Sequence, residues 1–197
     1  MKRFISTYML LWLLCHTVWA QTEAGNTFIG GQIQLQGTFS ENENDSKIFR
    51  YIFSPYAGYF IRDNLTVGGG MSFSNVKIEN ESADYEYINR NFSIFAASRY
   101  YIPIGEARKF YAYVQGTLQF SRGKTEDTNT SQELVVHEYS LAIAPGFVYF
   151  PSSRWGLELG FSGLSSKIVD IKDRESYTSV TLGTDSFAPS LGVSYYF

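Results

Sequence analysis

The sequence predicts an eight-stranded, antiparallel, up-and-down transmembrane β-barrel, and three observations carry that expectation. Apolar residues recur with a period of two in eight separate segments, as strands with one oily and one polar face require. The connections between these segments alternate strictly between long and short. Composition agrees: aromatic residues are 17% of the 197-residue chain and charged residues only 18%, against a usual charged share of about 25%, a profile that suits β structure better than helices.

The chain divides into residues 1–20, read as a cleaved export signal, and residues 21–197, read as one barrel domain. Lys2 and Arg3 precede an apolar run from Phe4 to Leu14, and Val18 and Ala20 occupy the two slim positions before cleavage. The run is shorter than the roughly 20 apolar residues a helical span needs. Cleavage would remove Cys15, the single cysteine, so no disulfide or thiol chemistry is expected. Without Lys2 and Arg3 the chain keeps 14 basic against 19 acidic residues, a net charge of −5, which makes nucleic acid an unsuitable partner. After the signal no continuous apolar span occurs, and a helical membrane protein is excluded.

The strands follow in order. In strand one, "FIGGQIQLQGTF", Ile29, Ile33, Leu35 and Phe39 alternate with Gln32, Gln34 and Gln36. Strand two is read over 48–61, three over 65–74, four over 91–101, five over 110–121, six over 139–150 and seven over 155–164. Strand eight is the stretch ending in 187–197. Each core is about the 9 to 11 residues a tilted strand needs to cross a bilayer. "SENENDSK", "KIENESADYEY", "RGKTEDTNTSQE" and "SSKIVDIKDRESYT" form the long connections, while "RDN", "IPIGEAR" and "PSSR" form the short ones. Tight periplasmic turns and long outer loops are the pattern of a membrane barrel.

A secreted barrel with its apolar face inside would share this strand pattern. The distribution of charge favours the membrane. Phe110, Ala112, Val114, Gly116, Leu118 and Phe120 of strand five make an uncharged face, whereas Gln115, Thr117, Gln119 and Ser121 make a polar one. A Lys or Arg facing lipid at mid-membrane would cost about 2–4 kcal/mol. Most acidic residues, among them Glu41, Glu43, Asp45, Glu79, Glu81, Asp84, Asp127 and Asp173, fall in the four long loops.

With "SPYAGYFIRDNLTVGGG", "SRYYIP", "APGFVYF", "SRWGLELGF" and "LGVSYYF", the chain resembles the small eight-stranded outer-membrane barrels. These are the class of OmpX and of the OmpA barrel domain, and, more closely, the "porin family" barrel proteins of Bacteroidetes. The resemblance spans about Asn26 to Phe197. It implies the outer membrane of a Gram-negative bacterium, with outer-membrane lipid and lipopolysaccharide around the barrel. It also implies that the barrel-assembly machinery reads the terminal strand, with Tyr195 and Phe197 as the signal. A larger envelope complex is a further partner to expect. No cofactor, metal or catalytic group follows from it.

Candidate residues are weighed by which face they occupy. His137 falls on the lipid side near the outer rim and Ser140 on the lumen side, so they point apart and make no hydrolase pair. Glu158, Arg99, Arg62 and Arg50 fall on the inward face. An eight-stranded barrel is just wide enough for side chains to fill, so Glu158 must find a cation, with Arg99 or Arg62 expected as its partner. Tyr59, Phe60, Tyr100, Tyr101, Tyr149, Phe150, Trp155, Tyr196 and Phe197 are expected to form a periplasmic aromatic girdle. Gly68, Gly69 and Gly70 are read as relieving crowding within a strand. Pro55, Pro145 and Pro189 lack the N–H that a closed ladder uses, and bulges are the expected remedy.

The functional expectation is a non-enzymatic outer-membrane protein with a filled lumen and four acidic loops, in a structural or surface-interaction role. A small passive or gated pore for small or hydrophobic solutes, and an accessory subunit of a larger complex, are the alternatives.

Overall fold

The structure, a computed structural model, describes residues 22–39, 46–80, 85–127, 133–171, 176–182 and 189–197. The export signal at 1–20 lies outside these residues, as do Glu41, Glu43, Asp45, Glu81, Asp84 and Asp173 of the acidic loops. Among the described residues ten strand segments occur: β1 (Thr27–Phe39), β2 (Ser46–Arg62), β3 (Leu65–Asn80), β4 (Tyr85–Ile104), β5 (Phe110–Asp127), β6 (Glu133–Tyr149), β7 (Trp155–Gly160), β8 (Leu164–Ile171), β9 (Tyr177–Leu182) and β10 (Ser190–Tyr196).

These segments build a ring of eight antiparallel staves. β1 to β6 pair in sequence, β6 then pairs with β8 along the part toward the long connections, read as the outer part, and with β7 along the part toward the short turns, read as the periplasmic part, and β9 and β10 pair with β8 and β7. The ring closes where β10 meets β1, with Phe28 opposite Tyr196 and Ile33 opposite Leu191. Closure removes the sheet edges that would otherwise leave backbone groups unsatisfied in lipid.

Strands β2 to β6 are longer than their apolar cores. They run 16 to 20 residues, well beyond the roughly 11 that cross a bilayer. The described residues of "KIENESADYEY" and "RGKTEDTNTSQE" are therefore strand and continue the paired ribbons beyond a bilayer-crossing length.

Alternation places large apolar side chains outside: Ile29, Ile33, Leu35, Phe73, Ile94, Leu118, Leu141 and Leu157 are all exposed on the outer wall. Two irregularities reset this alternation. At the periplasmic end of β2 the register shifts between Phe60 and Arg62, since two residues there match one step from Thr66 to Leu65. Between β7 and β8, the three residues 161–163 between Gly160 and Leu164 face two, Ala144 and Pro145, between Ile143 and Gly146 on β6. That extra residue is a bulge. It sits opposite Pro145, whose carbonyl accepts a hydrogen bond from Phe161 N at 3.0 Å.

The remedy for proline thus differs from one site to the next. At Pro145 the bulge lies in the neighbouring stave, while β5 keeps continuous register with Pro145 opposite Val114. At Pro55 the expectation of a bulge is overturned: the register is the same on both sides of Ser54 and Pro55, where the pairing to β3 lapses. The Ser54 hydroxyl donates to Ser72 Oγ across that gap at 2.8 Å. Pro189 precedes β10 and interrupts no described strand.

Short turns join the periplasmic ends. Asn64, with φ of 63°, closes the β2–β3 turn, and Gly105, with φ of 77°, helps close the next. The segment before β1 packs under this end: Ala24 N donates to Asp63 Oδ1, Thr22 Oγ1 donates to Asn64 Oδ1, and Thr22 is buried.

Candidate functional site in the barrel lumen

The inward face changes character along the barrel. In the periplasmic half, Phe28, Phe60, Tyr101, Tyr111, Tyr113, Val148, Phe150 and Tyr196 form one buried cluster, with Tyr56 packed against it. Phe28 stacks on Tyr196 at 5.2 Å between ring centroids, Phe150 meets Tyr196 edge-on at 5.1 Å, and Tyr111 meets Phe150 edge-on at 5.5 Å. Edge-on and offset contacts suit the ring quadrupoles and add to the gain from burial.

Several of these rings fit because facing positions are glycine. A Cβ added at Gly30 would stand 2.7 Å from the Tyr56 ring, one at Gly58 would collide with the Phe28 ring, and one at Gly146 with the Tyr113 ring. Each of these three rings lies across the glycine of a neighbouring strand. The triple glycine of β3 serves a different purpose. Added Cβ atoms at Gly68, Gly69 and Gly70 would strike the carbonyl oxygens of Ala57, Phe95 and Pro55, so backbone approaches backbone there.

Above the rings lies a buried ion pair. Arg99 of β4 and Glu158 of β7 both project inward, and Arg99 Nη1 donates to Glu158 Oε2 at 2.8 Å. Their side chains are 5% and 0% exposed, so each charge must be met by protein. Arg99 Nε donates to Gln115 Oε1 at 2.9 Å and Nη1 also donates to Tyr101 Oη at 3.2 Å. The guanidinium lies over the Tyr113 ring at 4.1 Å. Ser194 Oγ donates to Glu158 Oε1 at 2.5 Å, and the Tyr101 and Tyr196 hydroxyls share a hydrogen bond at 3.3 Å. Both charges are held by several groups on different strands, the condition under which a buried pair is tolerated.

The outer half of the lumen is lined by small polar groups. Ser54 bonds to Ser72, Ser93 to Ser121 at 2.9 Å, and Gln119 Nε2 to Ser121 Oγ at 3.0 Å. Around them, with Asn89, Asn91 and Glu138, is a cavity of about 490 Å³. Lys167 Nζ and Glu138 Oε2 pair there at 3.2 Å, with side chains 40% and 29% exposed.

Of the four charged residues expected to share a lumen network, the structure brings together Arg99 and Glu158 alone. Arg62 is exposed, because the register shift after Phe60 turns it out of the lumen. Arg50 stands opposite Gln36 and Val76 near the outer rim, exposed and far along the strand from Glu158.

The girdle expectation is corrected in the same way. Adjacent residues of a strand face opposite sides, so no consecutive aromatic pair can lie wholly in the girdle. Tyr59, Tyr100, Trp155 and Phe197 are exposed on the outer wall and Tyr149 is half-buried, while Phe60, Tyr101, Phe150 and Tyr196 point inward and make the plug. Tyr195 and Phe197, the expected assembly signal, pack edge-on at 5.1 Å on the outer wall. His137 stacks on Phe120 at 6.0 Å, on the side away from Ser140.

Sequence reasoning missed the pair of Glu138 and Lys167. Glu138 is inward by simple alternation, but Lys167 comes inside only because the bulge at residues 161–163 resets the alternation of β8. It also passed over Tyr56, Tyr111 and Tyr113, whose inward parity was readable from their strands.

Comparison with known proteins agrees with this architecture. Residues 6–197 match the family described as the outer membrane protein beta-barrel domain. The fold is similar to the crystal structure of Neisserial surface protein A, at 14% identity with a TM-score of 0.51, over 88% of this chain and 98% of that one. It is also similar to Ail, the attachment invasion locus protein of Yersinia pestis, at 16% identity and a TM-score of 0.42, over 89% and 99% of the two chains. At 14% identity the likeness to Neisserial surface protein A speaks for the fold alone. No curated protein matches the sequence.

Proposed function

Since the chain belongs to the family of outer membrane protein beta-barrel domains, we propose that it is a non-enzymatic, non-conducting barrel with a structural or surface-interaction role. The observation that supports this reading is the plug. The Arg99–Glu158 pair and the aromatic cluster beneath it occupy the periplasmic half of the bore, and the cavity beside Arg99 and Gln115 measures about 30 Å³. Hydrated solutes need a continuous aqueous path, and a buried, multiply bonded ion pair over packed rings offers none. The ribbons that continue beyond the membrane give β3–β4 and β5–β6 a firm stem for partner-facing tips.

Planar bilayers test the reading. Wild-type barrels should give no regular conductance steps, and liposomes carrying them should swell in small sugars no faster than empty ones; reproducible steps would overturn it. Glu158→Ala should raise conductance only if the pair is a gate. In biogenesis, Tyr195 and Phe197 serve as the mark read by the assembly machinery. Deleting Phe197 should then impair insertion in cells far more than Phe150→Ala does, and equal effects would reduce it to a girdle residue.

A further inference from the structure

We propose that the outer wall of β3, β4 and β5, at its outer end, is a binding site for one phosphorylated glycolipid of the outer leaflet. Three features meet on this wall. The first is charge. Arg90 and Lys124 stand directly opposite each other across β4 and β5, and Arg122 is the next outward residue on β5, opposite Phe92. All three are exposed and line one groove of about 440 Å³ together with Tyr51, Phe73 and Phe92. This chain, with more acids than bases, sets three cations side by side here.

The second is an acceptor. Asn75 lines the same groove, and its Oδ1 is buried with no hydrogen-bond partner. A hydroxyl of a sugar would satisfy it, whereas a phosphate would not. The third is the surface beneath. Going down β4 and β5, the outward pairs are Ile94 with Phe120, Ala96 with Leu118, and Ser98 with Gly116. The shortening of the side chains leaves an apolar furrow of about 650 Å³ lined by Ile94, Ala96, Leu118 and Leu141. Nothing lies within 4 Å of a Cβ added at Gly116. Cations, a sugar-facing acceptor and an acyl-sized furrow follow one another along a single wall.

Their height fits. Arg90 is ten residues above Tyr100, the exposed ring at the periplasmic edge of the same strand. At about 3.3 Å per residue and a tilt of about 40°, that is roughly 25 Å along the membrane normal, the height of the apolar band. The cations therefore stand at the level of the outer headgroups, with Phe73, Phe92 and Phe120 at the boundary below them.

This assignment rests on the outward direction of the long connections proposed above. Binding in micelles does not depend on that direction and conductance does not depend on this wall, so the two readings fail separately. The test uses the mature barrel in detergent, with titrations of diphosphorylated lipid A, the same lipid after removal of its phosphates, and inorganic pyrophosphate. At about fivefold per cation, replacing Arg90, Arg122 and Lys124 together by Gln should weaken binding of the intact lipid about a hundredfold. Arg62→Gln should leave it unchanged, and Ala96→Phe, which fills the furrow, should weaken it about tenfold. Should the triple variant fail to show the heat-dependent gel shift of a folded barrel, Arg122→Gln alone gives the reading, with about a fivefold loss expected. The proposal is overturned if the variants at Arg90, Arg122, Lys124 and Ala96 bind like wild type, if the dephosphorylated lipid binds as tightly, or if pyrophosphate displaces the lipid at equal concentration, which would mark a soluble-anion site.

Discussion

In the periplasmic half of the lumen, eight large side chains and a fully enclosed ion pair leave almost no space; in the outer half, serines, asparagines and a partly solvated ion pair surround about 490 Å³. The same staves and the same alternation build both halves. Strand number sets the bore, and side-chain size decides whether that bore is a core or a vestibule. The two ion pairs carry the same lesson for electrostatics. Arg99 and Glu158 have exchanged water for each other and four further protein partners, whereas Lys167 and Glu138 keep part of their hydration.

The sharpest way to break this contrast is Glu158→Ala. It strands a buried guanidinium and should destabilise the barrel by about 3–5 kcal/mol, measured as the midpoint of urea unfolding in detergent by gel mobility. A loss below that of Glu138→Ala would mean the two halves do not differ as described. Phe60→Ala should follow closely. It opens a cavity in a packed cluster and should cost about 3–5 kcal/mol, and its exposed neighbour Tyr59, changed to Ala in the same assay, should cost much less.

Glycine substitutions sharpen the comparison at the next scale. Gly146→Ala drives a methyl into the Tyr113 ring, with an expected loss of about 1–3 kcal/mol. Gly116→Ala, on the outer wall with nothing within 4 Å, should be close to neutral. Smallest of all, Glu138→Ala should cost about 1 kcal/mol or less, because the pair it breaks is part-exposed. Its effect should shrink further in high salt, while that of Glu158→Ala should not.

How much of this was legible in advance can be followed residue by residue. Glu158 and Arg99 are inward by counting along their strands, and the need of one for the other follows from burial. The choice of Arg99 over Arg62 does not. Both lie near periplasmic strand ends with matching parity, and only the register shift between Phe60 and Arg62 separates them. Lys167 shows the reverse effect: counting puts it outside and the bulge brings it in. The paired aromatics were visible as a pattern but assigned to a single face, although a period of two already divides them.

The amino-acid sequence alone determined the barrel, its strand order, the uncharged middle band of its outer wall and the polar character of the outer half of the lumen, because alternation and turn residues are local signals that each strand carries by itself. Which ring lies across which glycine, which arginine meets Glu158, and which cations share a groove on the outer wall were decided only by tertiary structure. Those contacts join residues as far apart in the chain as Phe28 and Tyr196. They depend on register, and one extra residue in a strand is enough to move every side chain beyond it to the other face.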